Sequence, residues 1–495
     1  MKRFVPLMAF AIFFVYLAVS AFQLPLAGSS GFDVTGFGRL PVSVAGRVQP
    51  LDSVARLALL QIRASAPASL DGFKLQPLRA EIIDPDLWLL EVLAKPDTAD
   101  TRRIFLIDDR ELLAKLQLSG GTSYYAFTDL GPKAATIGMQ VQRIGKLKTA
   151  DRAQWENALV TLQSRLVLYE RLKNSVQPNS LLQLQARNNP AGFDFAGELA
   201  TFRVDLTRAI KISEERRQGG AQLLDAETGM RLRTFARLFQ AVSQSGMVAA
   251  IPPGDHTGLR SHWRNLGTVI VDSARGQLPP LPVAFYAAMS SAFAQDKPDV
   301  FNSQVSRYRQ WLASNGFASE IDQAGYEVYY NRFQPFVRAI AVYAVAAILL
   351  GVAWRTRSAT VYPSAVMLVL LAFAVHTLGI AFTMKLAGPP SYLTLVAWGI
   401  TLGALVAEQF WRRGVAIAVA TATGLGALVG ARVTAVGVVA LVQNVLDIRL
   451  VLAIVATVVV LFVGREAGRE GQAEDGERLV HPFTHALGDA GKFVL

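Results

Sequence analysis

Apolar residues are concentrated near the two ends of the chain. The run 4–22 follows Lys2 and Arg3 and is long enough to cross a bilayer as a helix. Further apolar windows follow one another later in the chain, at residues 337–354, 362–384, 392–407, 415–431 and 450–464. The pattern therefore predicts a membrane protein with an N-terminal helix and a C-terminal bundle of five transmembrane helices.

The N-terminal run has two interpretations. Its basic start and the small residue Ala21 near its end are also features of a cleaved secretory signal. The apolar run is longer than an ordinary signal core, so we favour an uncleaved anchor. Both interpretations place the following residues outside the cytoplasm.

Residues 28–336 contain no apolar run of spanning length and carry charges throughout, as expected of a water-soluble domain. Apolar residues recur with helical spacing at 152–174, 203–218, 231–244 and 282–313. Short β-compatible runs occur earlier, at 104–108 and 124–130. These patterns predict a large extracytoplasmic α+β domain whose second half is rich in helices.

Basic residues are unevenly distributed around the predicted spans. With the N-terminus inside, most flanking arginines and lysines fall on the cytoplasmic side, as the positive-inside rule requires. This gives an anchor at 1–27, an outer domain at 28–336, a membrane domain at 337–464 and a cytoplasmic tail at 465–495. The apolar connection 433–448 is expected to lie along the outer interface or to fold back against the bundle.

The amino-acid composition excludes several kinds of function. The chain is 52% hydrophobic, carries a net charge of +11 and has no cysteine. Much of the basic excess follows from the topology, so nucleic-acid binding is not expected. Without cysteine, the chain can form neither a disulfide nor a thiolate metal site, and any thiol chemistry must belong to a partner. We expect a multi-pass membrane protein.

The segment "GRVQPLDSVAR", residues 46–56, opens the outer domain. Pro50 disfavours the α conformation at the preceding residue, so a helix is expected to begin after it. Asp52 or Ser53 is the expected N-cap of that helix. A strand or extended arm leading into a packed helix accounts for the segment without any function for Arg47 and Arg56.

Candidate catalytic chemistry is sparse. His256 and His262 are six residues apart, which matches no helical metal pair, and no nucleophile has a base at diagnostic spacing. We therefore predict no catalytic site and no metal site. His376 is expected to be the one ionisable residue deep in a span.

Three segments, in this order, resemble one family. They are "GRVQPLDSVAR" with the preceding "RLPV", "EVYYNRFQPF" at 327–336, and "HTLGIAFTMKLAGPP" at 376–390. They resemble segments of bacterial system II cytochrome c assembly proteins of the CcsA/ResC kind. The resemblance implies a protein that works where haem is delivered across the membrane and attached to apocytochrome c.

The sequence also departs from that family. Its tryptophan-rich haem-handling segment, Trp-Gly-x-x-Trp-x-Trp-Asp, is absent, and no histidine occurs in 433–464 to match its outer haem ligands. The chain thus resembles the front half of such a protein. We expect a membrane subunit of a cytochrome c maturation complex, with a separately encoded CcsA-type haem-handling subunit as partner and apocytochrome c as a second one.

The resemblance suggests roles for a few residues. His376 is a candidate haem contact, and the alternative is a neutral histidine hydrogen-bonded to a neighbouring helix. Arg47 and Arg56 are candidates for binding haem propionates or a partner's carboxylates, and the alternative is pairing with carboxylates of the chain itself. Haem is expected to be bound transiently or through the partner.

A glycine-rich surface on the fourth C-terminal window is the predicted partner interface. Gly424, Gly426 and Gly430 would let another helix approach closely in lipid. A different function remains open at this point, that of a non-catalytic structural or docking subunit of a respiratory or transport complex.

Overall fold

The computed structural model describes residues 4–22, 31–63, 68–69, 82–178, 193–254, 263–358, 360–386, 391–411, 414–436, 453–458 and 461. It is mostly helical, at 76%. The chain divides into two compact units. The apolar unit comprises Met1–Leu26 and Tyr329–Leu495, and the polar unit comprises Ala27–Val328.

The α-helices of the described residues are, in chain order, α1 (Val5–Ala21), α2 (Val34–Gly38), α3 (Leu51–Arg63), α4 (Pro85–Ala94), α5 (Pro96–Asp100), α6 (Arg110–Lys115), α7 (Phe127–Leu130), α8 (Ala134–Ile144), α9 (Gln154–Lys173), α10 (Phe195–Arg217), α11 (Ala226–Ser245), α12 (Leu266–Ser273), α13 (Leu281–Ala294), α14 (Pro298–Ser314), α15 (Ala318–Phe333), α16 (Pro335–Thr356), α17 (Val361–Leu386), α18 (Tyr392–Trp411) and α19 (Val415–Val436). Residues 453–458 are also helical. The strands are β1 (Pro41–Val44), β2 (Arg47–Pro50), β3 (Ala68–Ser69), β4 (Ile82–Ile83), β5 (Phe105–Leu106) and β6 (Tyr124–Tyr125).

Three helical stretches of the described residues are long and apolar enough to cross a membrane. They are Ala318–Thr356, which comprises α15 and α16, then Val361–Leu386 and Tyr392–Phe410. Val5–Ala21 and Val415–Ala431 are shorter apolar helices. These helices support the membrane-protein class predicted from the apolar runs.

Two predicted segments near the C-terminus lie partly or wholly outside the described residues. Helix α19 continues to Val436, so the start of the connection 433–448 is helical and its remainder is outside the described residues. In the window 450–464, only 453–458 and 461 are described, and the tail 465–495 is not.

A proline interrupts the helix that leads into the apolar unit. Gln334, between α15 and α16, has a φ of +49°, and Pro335 follows it. Proline lacks a backbone N–H and disfavours the α conformation at the residue before it, which explains the break.

Helix α1 packs within the apolar unit. Phe13 is fully buried, and Tyr16 is 4% exposed. The guanidinium of Arg338 on α16 donates to the hydroxyl of Tyr16 at 3.0 Å and lies over its ring, 5.6 Å from the centroid. These contacts give an uncleaved N-terminal helix a structural role, because loss of α1 would remove one hydrogen-bond partner of a buried arginine.

The polar unit has one connected apolar core. Its largest fully buried side chains include Trp88, Phe105, Tyr169, Phe195 and Tyr308. The segments 152–174, 203–218 and 231–244, which were predicted to be helical, correspond to α9, α10 and α11. The stretch 282–313, in which apolar residues recur with helical spacing, forms two helices. Asp296 has a positive φ, and Pro298 then begins α14.

The sheet content differs from the α+β prediction. The described strands form three separate antiparallel pairs, β1–β2, β3–β4 and β5–β6, and no larger sheet. Phe105 pairs with Tyr125, so the two β-compatible runs do meet. Each contributes only two paired residues, since the second run turns into α7 at Phe127. The polar unit is therefore a helical domain with short β-ribbons.

A buried ion pair joins α5 to α9. The ammonium of Lys173, whose side chain is 1% exposed, donates to both oxygens of Asp100 at 2.8 and 2.7 Å. The hydroxyl of Tyr169 donates to the same carboxylate at 2.9 Å. Burial and the negative charge of Asp100 raise the pKa of Tyr169 well above its ordinary value. The Lys173 ammonium also lies 4.5 Å from the ring centroid of Phe127.

Candidate functional site

The segment "GRVQPLDSVAR" folds as a hairpin followed by a helix. Ala45 and Gly46 both have positive φ, 51° and 81°, the conformation of a two-residue turn between β1 and β2. Strand β2 ends at Pro50, and α3 begins at Leu51. The N-cap prediction was therefore wrong, because Asp52 and Ser53 lie in the first turn of α3, where both are buried.

Arg56 is surrounded by carboxylates of its own chain. Its Nε donates to both oxygens of Asp52, at 3.0 and 2.9 Å. Burial lowers the pKa of Arg56, but the charges of Asp52, Asp86 and Asp84 outweigh this effect and the net shift is upward. The absence of a side chain at Gly38 makes room for Asp86, whose carboxylate would collide with a Cβ there.

Arg47 forms an ion pair with a residue of α15. Its guanidinium pairs with Oε1 of Glu327 at 2.8 Å, and the hydroxyl of Ser53 donates to the same oxygen at 2.6 Å. Glu327 is the first residue of "EVYYNRFQPF", so two of the three family-like segments are in contact. The side chain of Arg47 remains 50% exposed, whereas that of Glu327 is 7% exposed.

The two arginines thus differ in what they could still bind. Arg56 is paired with Asp52 and its side chain is only 20% exposed, which favours the structural alternative. Among the described residues Arg47 pairs with one carboxylate, and its side chain is half exposed, which leaves donors for a second anion.

His376 lies on α17 and is completely buried. The rings of Phe336 and Tyr343 meet it edge-on, with centroids 5.9 and 6.4 Å away. Neither ring nitrogen has a hydrogen-bond partner among the described residues, so within that part of the chain the expected bond to a neighbouring helix is not found. Leaving a buried polar group unpaired costs about 1–3 kcal/mol.

The close packing around His376 depends on a glycine. A Cβ at Gly379 would lie 2.8 Å from the ring of Phe336. Phe336 ends the segment "EVYYNRFQPF", and Gly379 belongs to "HTLGIAFTMKLAGPP", so these two family-like segments are also in contact. The Gly-x-Pro-Pro part of the latter, 387–390, lies outside the described residues.

The predicted glycine interface is only partly free. Gly424 is buried, and a Cβ there would lie 2.8 Å from the ring of Tyr343 on α16. It therefore serves helix packing inside the chain. Gly430 lies in ordinary contact range of Leu393, at 3.7 Å, and Gly426 faces open space. Of the three, Gly426 is the residue that a partner could approach.

Sequence reasoning missed two ionisable residues in the apolar unit. Arg338 and Glu408 are 9% and 3% exposed, so His376 is not alone there. Oε1 of Glu408 accepts the backbone N–H of Gly414 at 2.8 Å and the hydroxyl of Tyr362 at 3.3 Å. This arrangement links α18 to the residue that precedes α19. An acidic residue near the end of an apolar window was the available signal.

No group of three or more His, Asp or Glu side chains that could hold a metal ion occurs in the described ranges. His256 and His262 lie outside them. A scan against family models and a search of curated proteins both found no match to this chain.

Proposed function

We propose that the chain is a membrane subunit of a cytochrome c maturation complex and acts with a separately encoded, CcsA-type haem-handling partner. The observation that carries the proposal is His376, an imidazole buried in an apolar helix with neither nitrogen bonded to any described residue. Intramembrane ionisable residues are costly to bury and are commonly functional.

Contacts between the family-like segments add support. Arg47 and Ser53 of the first segment bind Glu327 of the second. Phe336 of the second packs on His376 and Gly379 of the third. Segments that are far apart in sequence thus meet pairwise in the fold, as expected if they belong together functionally.

The residues present fit a haem contact in part. A neutral imidazole offers a nitrogen lone pair to iron, and both nitrogens of His376 are unused by the described residues. In the polar unit, taken by itself, the exposed side of Arg47 can donate to a carboxylate. Bound haem would supply the iron and the vinyl groups, and the thiols would come from apocytochrome c, since this chain has no cysteine.

The proposed topology places both termini in the cytoplasm of a bacterium, six spans in the inner membrane, five of them in a C-terminal bundle, and the polar unit outside. The distribution of arginines supports it. Reporter fusions after Arg357 and Arg413 should behave as cytoplasmic, and a fusion near Gly388 as external. The reverse pattern would refute this orientation.

Deletion of the gene tests the function. The proposal predicts loss of covalently bound haem from c-type cytochromes, detected by haem staining of denaturing gels, while non-covalently bound b-type haem is retained. If c-type haem persists while a respiratory or transport complex loses its integrity, the chain is instead a structural subunit of that complex.

A matched pair of variants tests His376. His376→Phe should reduce maturation while the protein accumulates normally, because a phenyl ring fills the site without a ligand nitrogen. Leu378→Ala is the control, since Leu378 is 42% exposed on the same helix. Equal maturation in both variants would remove His376 from the proposal.

A further inference from the structure

One stretch of the polar unit is basic and lies between two exposed acidic residues, Asp129 and Asp151. Residues 130–150 contain no Asp or Glu. Their basic residues are Lys133, Arg143, Lys146 and Lys148. Arg143, Lys146 and Lys148 are exposed and Lys133 is partly exposed, and none of the four forms an ion pair with a described residue. We name these four residues, with Met139 and Leu147, the cationic patch.

Two large apolar side chains are exposed among these cations. Met139 is 65% exposed and Leu147 is 43% exposed. Helix α8 is held by its opposite face, where Ile137 and Ile144 are buried in the core. Met139, Arg143 and Leu147 are spaced four residues apart, and the amide of Leu147 donates to the Ile144 carbonyl, which continues the turn. Met139 and Arg143 therefore share one face of α8, and Leu147 is exposed in the turn that follows the helix.

We propose that the cationic patch docks on the anionic phospholipid headgroups of the membrane that holds the apolar unit. The basic side chains would pair with phosphates, while Met139 and Leu147 would enter the boundary between headgroups and acyl chains. The proposal requires membrane attachment of the chain and is independent of its role in cytochrome c maturation.

The properties of the chain favour membrane lipid as the binding partner of the cationic patch. The polar unit is preceded by the apolar helix α1 and followed by the membrane-spanning candidate that contains α16, so attachment holds the patch at high effective concentration near a bilayer. Exposed methionine and leucine side chains beside basic residues match a bilayer surface, where apolar acyl chains lie beneath charged headgroups. An acidic protein surface would satisfy the cations but would leave these two side chains without an apolar environment.

The electrostatic contribution can be estimated. Each lysine or arginine close to an anionic membrane surface strengthens binding by about five-fold. Neutralising Arg143, Lys146 and Lys148 should therefore weaken docking on the order of a hundred-fold. The attraction extends over a Debye length of about 8 Å at physiological salt and about 3 Å at 1 M salt, so high salt should also release the patch.

The absence of cysteine makes a direct test simple. Met139→Cys in the full chain creates a single thiol for the environment-sensitive fluorophore NBD. We expect blue-shifted emission, quenched by spin-labelled lipid, in nanodiscs of phosphatidylcholine with phosphatidylglycerol, and aqueous emission in phosphatidylcholine alone. Val204→Cys is the control, because Val204 is 70% exposed on α10 and should report water in both lipids.

Charge removal and salt complete the test. Arg143→Gln, Lys146→Gln and Lys148→Gln together, in the Met139→Cys background, should abolish the blue shift. Raising the salt should do the same in the Met139→Cys protein without further substitution, which keeps the test valid if the combined variant misfolds. Emission that is the same in both lipids, or a blue shift that survives high salt, would overturn the proposal and point to a different occupant.

Discussion

The buried pair between Lys173 and Asp100 allows a quantitative prediction about the polar unit. Asp100→Asn would leave the Lys173 ammonium, only 1% exposed, without its charge partner. The amide oxygen could still accept one hydrogen bond, and Tyr169 would lose its carboxylate acceptor. Breaking one side of a buried ion pair costs about 3–5 kcal/mol.

The structure provides a matched control for this change. Lys95 and Asp296 form an ion pair of similar length, 2.6 Å, but the side chain of Asp296 is 77% exposed. Water can replace either partner of such a surface pair, so Asp296→Asn should cost about 0–1 kcal/mol. Both substitutions exchange one carboxylate for an amide, so they differ mainly in burial.

Thermal unfolding of the full chain in mild detergent, followed by protease resistance of the polar unit, measures the difference. For a unit of this size, about 2 °C is expected per kcal/mol, so Asp100→Asn should lower the midpoint by roughly 6–10 °C. Asp296→Asn should lower it by about 2 °C or less. Equal shifts in the two variants would show that burial of the Lys173 pair does not determine its contribution.

Two further predictions concern local packing and pH. Hydrogen bonds from Thr228, mainly that of its backbone N–H, and the nearby Arg208 lower the pKa of Asp225, the N-cap of α11, below its ordinary value of 3.8. A carboxylate whose pKa is lower in the folded than in the unfolded chain stabilises the fold at pH values above its unfolded-state pKa. This stabilisation is lost as the pH falls through the folded-state pKa. Asp225→Ala should therefore lower the unfolding midpoint at pH 7, with a difference from wild type that narrows in acid; a constant difference would contradict the assignment. Gly424→Ala should lower the stability of the protein in detergent by about 1–3 kcal/mol, because the added Cβ would meet the ring of Tyr343. Gly426→Ala should have no such effect, since a Cβ there faces open space. Equal thermostability of the two variants would show that Gly424 does not lie in the helix contact.

The long periodic segments were predictable because burial on one face imposes a period on the sequence. This holds for α9, whose predicted and observed bounds differ by two residues or fewer, and for the apolar helices α16 and α17. The predicted helix at 282–313 failed at Lys297 and Pro298, where apolar spacing continues across a backbone break. Short β-compatible runs predicted strands correctly but not their extent, since pairing depends on a partner strand that is distant in sequence.

The candidate site was less predictable, because its contacts join distant segments. The position of His376 in an apolar window was visible from the sequence, but its edge-on contacts with Phe336 and Tyr343 were not. Arg47 was singled out, whereas its partner Glu327 is 280 residues away and no local pattern connects the two. Gly424 was predicted to belong to a partner interface, and sequence could not show that a Cβ there would meet Tyr343 of the same chain.

We propose that this chain and a separately encoded haem-handling subunit are both needed to attach haem to cytochrome c. The most direct measurement is covalent haem on a reporter apocytochrome c, in a host without maturation proteins of its own, with neither subunit, each alone, or both. We expect covalent haem only when both subunits are present. Equal attachment with the partner alone, or attachment with this chain alone, would contradict it.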